Sequence, residues 1–158
     1  MYERILVPLD GSKVGEAALP HVEELVSKLA PEVKAEVILL QVVSSLTHYV
    51  IAGEASVRVP YTGKELEQIK KKARSYLNKV GESLRSKGAT VKTKVATGKA
   101  AEEIIKAADE TKANLIAMST HGRSGLSRLT FGSITDKVLR TGNVPVLVVR
   151  APKNTENT

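Results

Sequence analysis

Leu115-Ile116-Ala117-Met118-Ser119-Thr120-His121-Gly122, then nine residues (123–131), then Gly132-Ser133 is the stretch from which the fold can be read. Its first four residues are continuously apolar, as in a strand buried on both faces, and the hydroxyls and glycines after them read as a loop. Gly132-Ser133 opens a helix expected over 134–140. A strand leading through such a loop to a helix N-terminus suits phosphate, because unpaired N–H groups and the positive end of the helix dipole converge there. Nucleotide binding is the working expectation.

The same alternation extends outward in both directions. Upstream, Arg4-Ile5-Leu6-Val7-Pro8-Leu9-Asp10 reads as a strand, and Gly11-Ser12 turns the chain into a helix expected over 13–29, kinked or delayed by Pro20. Residues 35–43 form a second strand, too continuously apolar for one face to be wet. Residues 44–63 read as a polar, mobile loop or lid. Ile69, Ala73, Tyr76, Leu77, Val80 and Leu84 mark a long amphipathic helix ended by Gly88, and 90–96 is a lysine-bearing edge strand. Ala101, Ile104, Ile105 and Ala108 give a third helix, and Val144-Pro145-Val146-Leu147-Val148-Val149 the fifth strand. Strands alternating with helices predict a single α/β domain over 1–150 with a doubly wound parallel sheet, and 151–158 reads as a flexible tail. In such sheets ligands bind beyond the carboxyl ends of the strands, where Asp10 and Ser119 both fall.

Composition narrows the alternatives. With 158 residues and no cysteine, one core suffices and thiolate metal sites, disulfides and cysteine nucleophiles are excluded. No signal-peptide pattern and no run of membrane-spanning length are present, so the expected location is cytoplasmic, with no membrane partner. The net charge of +7 is local: residues 64–94 hold ten Lys/Arg against three Glu, and the remainder is neutral. That basic helix, with its Lys70 to Lys79 face, is either a solvated surface or a nucleic-acid contact, while 3% aromatic content argues against single-strand binding. The common phosphate-loop and dinucleotide motifs are missing. His121 reads as a structural hydrogen-bonder, and neither it, His21 nor His48 shows metal-ligand spacing. The nearby serines lack a base and orienter, so no catalytic residue is assigned.

Taken together, Ile5 to Ser12, the Ser119-Thr120-His121-Gly122-Arg123-Ser124-Gly125 loop, Gly132-Ser133 and the closing valine-rich strand resemble the universal stress protein family, in family order and over nearly the whole chain. Its ATP-binding branch carries Gly-x-x-Gly, nine residues, then Gly-Ser/Thr. The chain keeps Gly122, the gap and Gly132-Ser133, but has Ser119 in place of the first glycine. The resemblance implies a Rossmann-like five-stranded sheet of order 3-2-1-4-5. It places Pro8 and Asp10 by the adenosine, Val42 at adenine through its backbone, and Ser119, Gly122, Arg123, Gly132, Ser133 and Ile134 around ribose and phosphates. It further implies ATP with Mg²⁺ held through the phosphates, slow or no hydrolysis, and a homodimer through Val146, Leu147 and Val148. The function implied is a stress-linked nucleotide sensor. The alternatives are a non-ATP-binding stress protein acting through protein or nucleic-acid partners, and a weak ATPase.

Overall fold

The computed structural model describes residues 2–29, 31–121 and 132–151. Predictions that fall on 122–131, including Gly122 and Arg123, and on the tail 152–158 lie outside the described residues. Five parallel strands form one sheet: β1 (Arg4–Leu9), β2 (Glu36–Val43), β5 (Thr90–Thr97), β6 (Leu115–Ser119) and β7 (Val146–Val149). Their order is β5-β2-β1-β6-β7, the expected 3-2-1-4-5 pattern with β1 at the centre. From β1 the chain winds outward through β2 to β5, then returns to β1's other side at β6. The strand order therefore reverses between β2 and β6, across the end of β1.

The helices are α1 (Leu19–Ser27), α2 (Gly63–Ser86), α3 (Ala100–Thr111) and α4 (Ser133–Thr141). Strand alternation sorts the core into two layers. Ile5, Val7 and Leu9 of β1, with Val37 and Leu39 of β2, pack with Val22 and Val26 of α1 and Leu77 and Leu84 of α2. Leu6 of β1 and Ile38 and Leu40 of β2 face Ile104 and Ala108 of α3 and Val138 of α4. Each large side chain fully buried in this way contributes about 1.5–3 kcal/mol. Gly81 lets α2 approach closely, since a Cβ there would lie 2.9 Å from Val91 Cγ1.

Two segments depart from expectation. Residues 44–63 are not a loop without regular structure: they contain an antiparallel hairpin of β3 (Thr47–Ala52) and β4 (Ala55–Pro60), joined by Gly53-Glu54 with Gly53 at φ +66°. A glycine-first two-residue turn between alternating segments is a hairpin signal, and Val50, Val57 and Val59 carry that alternation. The polar residues around them masked it. In the 13–29 segment, a 3₁₀ turn (Val14–Glu16) precedes α1, which starts only at Leu19 with Pro20 in its opening positions. Proline has no N–H to lose there, so it shifts the helix start rather than kinking the helix.

Candidate functional site

Proline also shapes the centre of the sheet. Glu36 N–H donates to Glu3 C=O at 2.7 Å, and Asn114 N–H to Arg4 C=O at 2.9 Å. Odd-numbered residues of β1 thus turn their backbone groups toward β2 and even-numbered ones toward β6, the alternation a parallel strand requires. Pro8 falls on the β6 phase and has no hydrogen to donate. Pairing between β1 and β6 covers Ile5–Leu115 and Leu6–Ile116 and goes no further, whereas β1 and β2 pair through to Leu9–Gln41. The carboxyl-end halves of β1 and β6 are therefore not zipped together, and this happens where the strand order reverses.

Asp10 leaves β1 at one side of this crevice. Its Oδ1 accepts hydrogen bonds from Ser12 N–H (2.9 Å) and Ser12 Oγ (2.5 Å), and Ser12 Oγ in turn accepts from Gly15 N–H at 3.1 Å. Gly11, at φ +86°, makes the sharp exit from the strand that aims this turn. The turn is held against α2, where Tyr76 Oη donates to Glu16 Oε2 at 3.0 Å. Burial, then the Glu16 hydrogen bond and charge, with Asp10 adding to it, push the Tyr76 phenol well above its usual range.

β6 supplies the other wall. Ser119 ends the strand and is buried, with its C=O accepting from Thr135 Oγ1 at 3.0 Å. Among the described non-glycine residues only Lys112 has positive φ, so Ser119 sits where any L-residue is allowed. Its Oγ accepts from His121 N–H at 3.4 Å. Thr120 N–H donates to Val149 C=O (2.8 Å), and Thr120 Oγ1 accepts from Ala151 N–H (2.9 Å) and lies 3.0 Å from His121 Nδ1. Gly132 N–H donates to Thr120 C=O at 2.9 Å, closing the base of the 121–131 segment. A Cβ on Gly132 would come within 3.2 Å of that carbonyl.

Gly132 is the N-cap of α4 and, having no side chain, makes no capping hydrogen bond of its own. Ser133 and Ile134, both exposed, open its first turn, whose N–H groups have no intrahelical acceptors. Val42, in β2, shares the phase of Glu36 and so turns its N–H and C=O toward β1, one residue past the last β1–β2 pair. Pro8, Asp10, Val42, Ser119, Gly132, Ser133 and Ile134 thus all lie at the carboxyl end of the sheet or on α4's first turn. Sequence reasoning missed Ser12, Gly15, Thr120 and Thr135, which set the positions of the others. A hydroxyl directly after a buried strand was the available signal for Thr120. Two other concavities, of about 290 and 510 Å³, flank β5 and are lined by paired charges such as Lys94 and Glu110; neither contains a predicted binding residue.

A doubly wound parallel sheet of this order defines a class, the open α/β proteins, in which ligands commonly bind at the carboxyl ends of the strands. The chain belongs to the universal stress protein family, whose sequence profile matches residues 1–150. It is 33% identical to universal stress protein MJ0531 of Methanocaldococcus jannaschii over 156 residues, covering 97% of this chain and 85% of that one. The solved structure of MJ0577, from the same organism, superposes with a TM-score of 0.76 at 27% identity, over 98% of this chain and 99% of that one. An Arabidopsis thaliana universal stress protein solved with AMP bound shares the fold, with a TM-score of 0.63 at 13% identity over 98% of this chain and 95% of that one.

Proposed function

We propose that the protein binds ATP in the crevice between the carboxyl ends of β1, β2 and β6 and acts as a nucleotide-dependent sensor or switch in the cytoplasmic stress response. The observation that carries this reading is the lapse of β1–β6 pairing beyond Leu6–Ile116, beside Pro8, at the strand ends that carry Asp10 and Ser119. Membership of a family with a nucleotide-bound relative of the same fold supports it.

Asp10, oriented by Ser12, accepts a hydrogen bond from a ribose hydroxyl. Val42's backbone groups, turned toward β1 beyond its last pair, read the adenine edge. The first-turn N–H groups at Ser133 and Ile134, with Gly132 keeping side-chain bulk out, receive phosphate oxygens. Ser119, Gly122 and Arg123 complete the phosphate side by their motif positions, and Mg²⁺ is held mainly by the phosphates. Hydrolysis is slow or absent, because Asp10 is already engaged by two donors from Ser12 and the chain has no phosphate-loop lysine. Two copies pair along the outer edge of β7, at Val146, Leu147 and Val148.

Isothermal titration with ATP and Mg²⁺, wild type beside Gly132→Val, tests the assignment. Binding weakened at least tenfold in the variant supports the site. Equal affinities would remove it, and no heat with either protein would favour the reading in which the protein acts through partners alone.

A further inference from the structure

Positive charge is concentrated along α2 and β5, where residues 64–94 hold ten Lys/Arg against three Glu. Many basic side chains outside α2 sit on acids: Arg4 and Lys92 flank Glu36, Lys94 and Lys106 meet Glu110, and Lys99 and Lys137 share Glu102. Glu110 is held below the usual carboxylate range chiefly by its hydrogen bond to Lys94. On α2, Glu67 takes Lys70 and Arg74. The face expected from Lys70 to Lys79 is thus divided, with Lys70 half-buried and paired. Lys64, Lys71, Lys72 and Lys79 are exposed and have no acidic partner within 4.0 Å among the described residues. At 3.6 residues per turn these four fall within an arc of about 100° and span about 22 Å along the helix axis.

Exposed Gln68 and Ser75 lie between the lysines, and Glu82 closes the far end of the row. The apolar side of α2 is used up: Ala73, Leu77 and Leu84 are buried against the sheet. No apolar wedge accompanies the lysines, as insertion into a lipid surface would need. Nor does an aromatic ring stand among them to stack on unpaired bases, since Tyr76 is turned in to Glu16. What remains is a band of cations along one side of the helix with hydrogen-bonding groups between them, complementary to closely spaced phosphates and indifferent to base identity.

We propose that this face of α2 binds the phosphate backbone of double-stranded nucleic acid without sequence preference. The test is fluorescence anisotropy with a labelled 30-base-pair DNA duplex of arbitrary sequence, between about 50 and 200 mM KCl. Four neutralised phosphates give a log–log salt slope of about −3.6, a loss of about a hundredfold in affinity across that range. The variant Lys64→Gln/Lys71→Gln/Lys72→Gln/Lys79→Gln, checked for an unchanged thermal melt and ATP affinity, should lose duplex binding and its salt slope. No duplex binding by the wild type at low salt would overturn the proposal. So would an unchanged slope in the variant, or equally tight binding to phosphatidylserine vesicles.

Discussion

A methyl group on Gly15 would lie 2.6 Å from Oδ1 of Asp10. The carboxylate assigned to ribose is thus packed against a bare backbone and cannot turn in that direction. Gly15→Ala forces one of the two to move, at a cost of about 1–3 kcal/mol typical of overpacking. Urea denaturation should show that loss, and ATP titration a weakening of about tenfold, or about 1.4 kcal/mol. Full stability with full affinity would mean that the turn relaxes freely and does not fix Asp10.

Pro8→Ala supplies the N–H that β1 lacks on its β6 side. One new ladder bond and the greater freedom of the unfolded chain nearly cancel, so stability should change by less than about 1 kcal/mol. Nucleotide affinity should fall several-fold as the slot zips. Hydrogen exchange would show whether the new amide at position 8 is protected; protection with undiminished ATP affinity would dissociate the slot from binding.

Tyr76→Phe removes the bond to Glu16 and should cost about 1 kcal/mol. The pH dependence has a definite sign. A phenol whose pKa is raised on folding contributes stability in full below its unfolded value, near 10.0, and loses it as the pH rises beyond. Urea midpoints of the wild type should therefore fall more steeply above about pH 10 than those of Tyr76→Phe. Parallel curves would show that another group governs alkaline unfolding.

The β7 edge can be tested without disturbing the sheet. Ile116 N–H donates to Pro145 C=O and Thr120 N–H to Val149 C=O, so odd positions face β6 and Val148 turns outward. Val148→Pro removes an outward N–H and spares the inner ladder. Analytical ultracentrifugation should find the wild type dimeric and the variant monomeric at micromolar concentration. A dimeric variant would move the interface elsewhere.

The central strands were legible because β1, β2 and β6 are covered on both faces and so are apolar without interruption. The hairpin was not, because Tyr49 and Ile51 on one face and Val50 and Val57 on the other are all exposed, and no buried side declares the register. At the site, Asp10, Ser119 and Gly132 could be found from strand ends and spacing. The part played by Pro8 could not, since it depends on which neighbour its backbone faces. Gly15 was hidden for a similar reason: a glycine inside an apparent helix gives no sign of the carboxylate folded onto it.

An interruption made by proline has a particular solvation consequence. Any other residue at position 8 would carry a backbone N–H on this side, which would have to pair with β6 and close the gap or else take up water within it. A buried donor stripped of that water costs about 1–3 kcal/mol. Pro8 leaves no such donor, so at this position an incoming molecule meets a carbonyl acceptor and no N–H that it must satisfy in place of water.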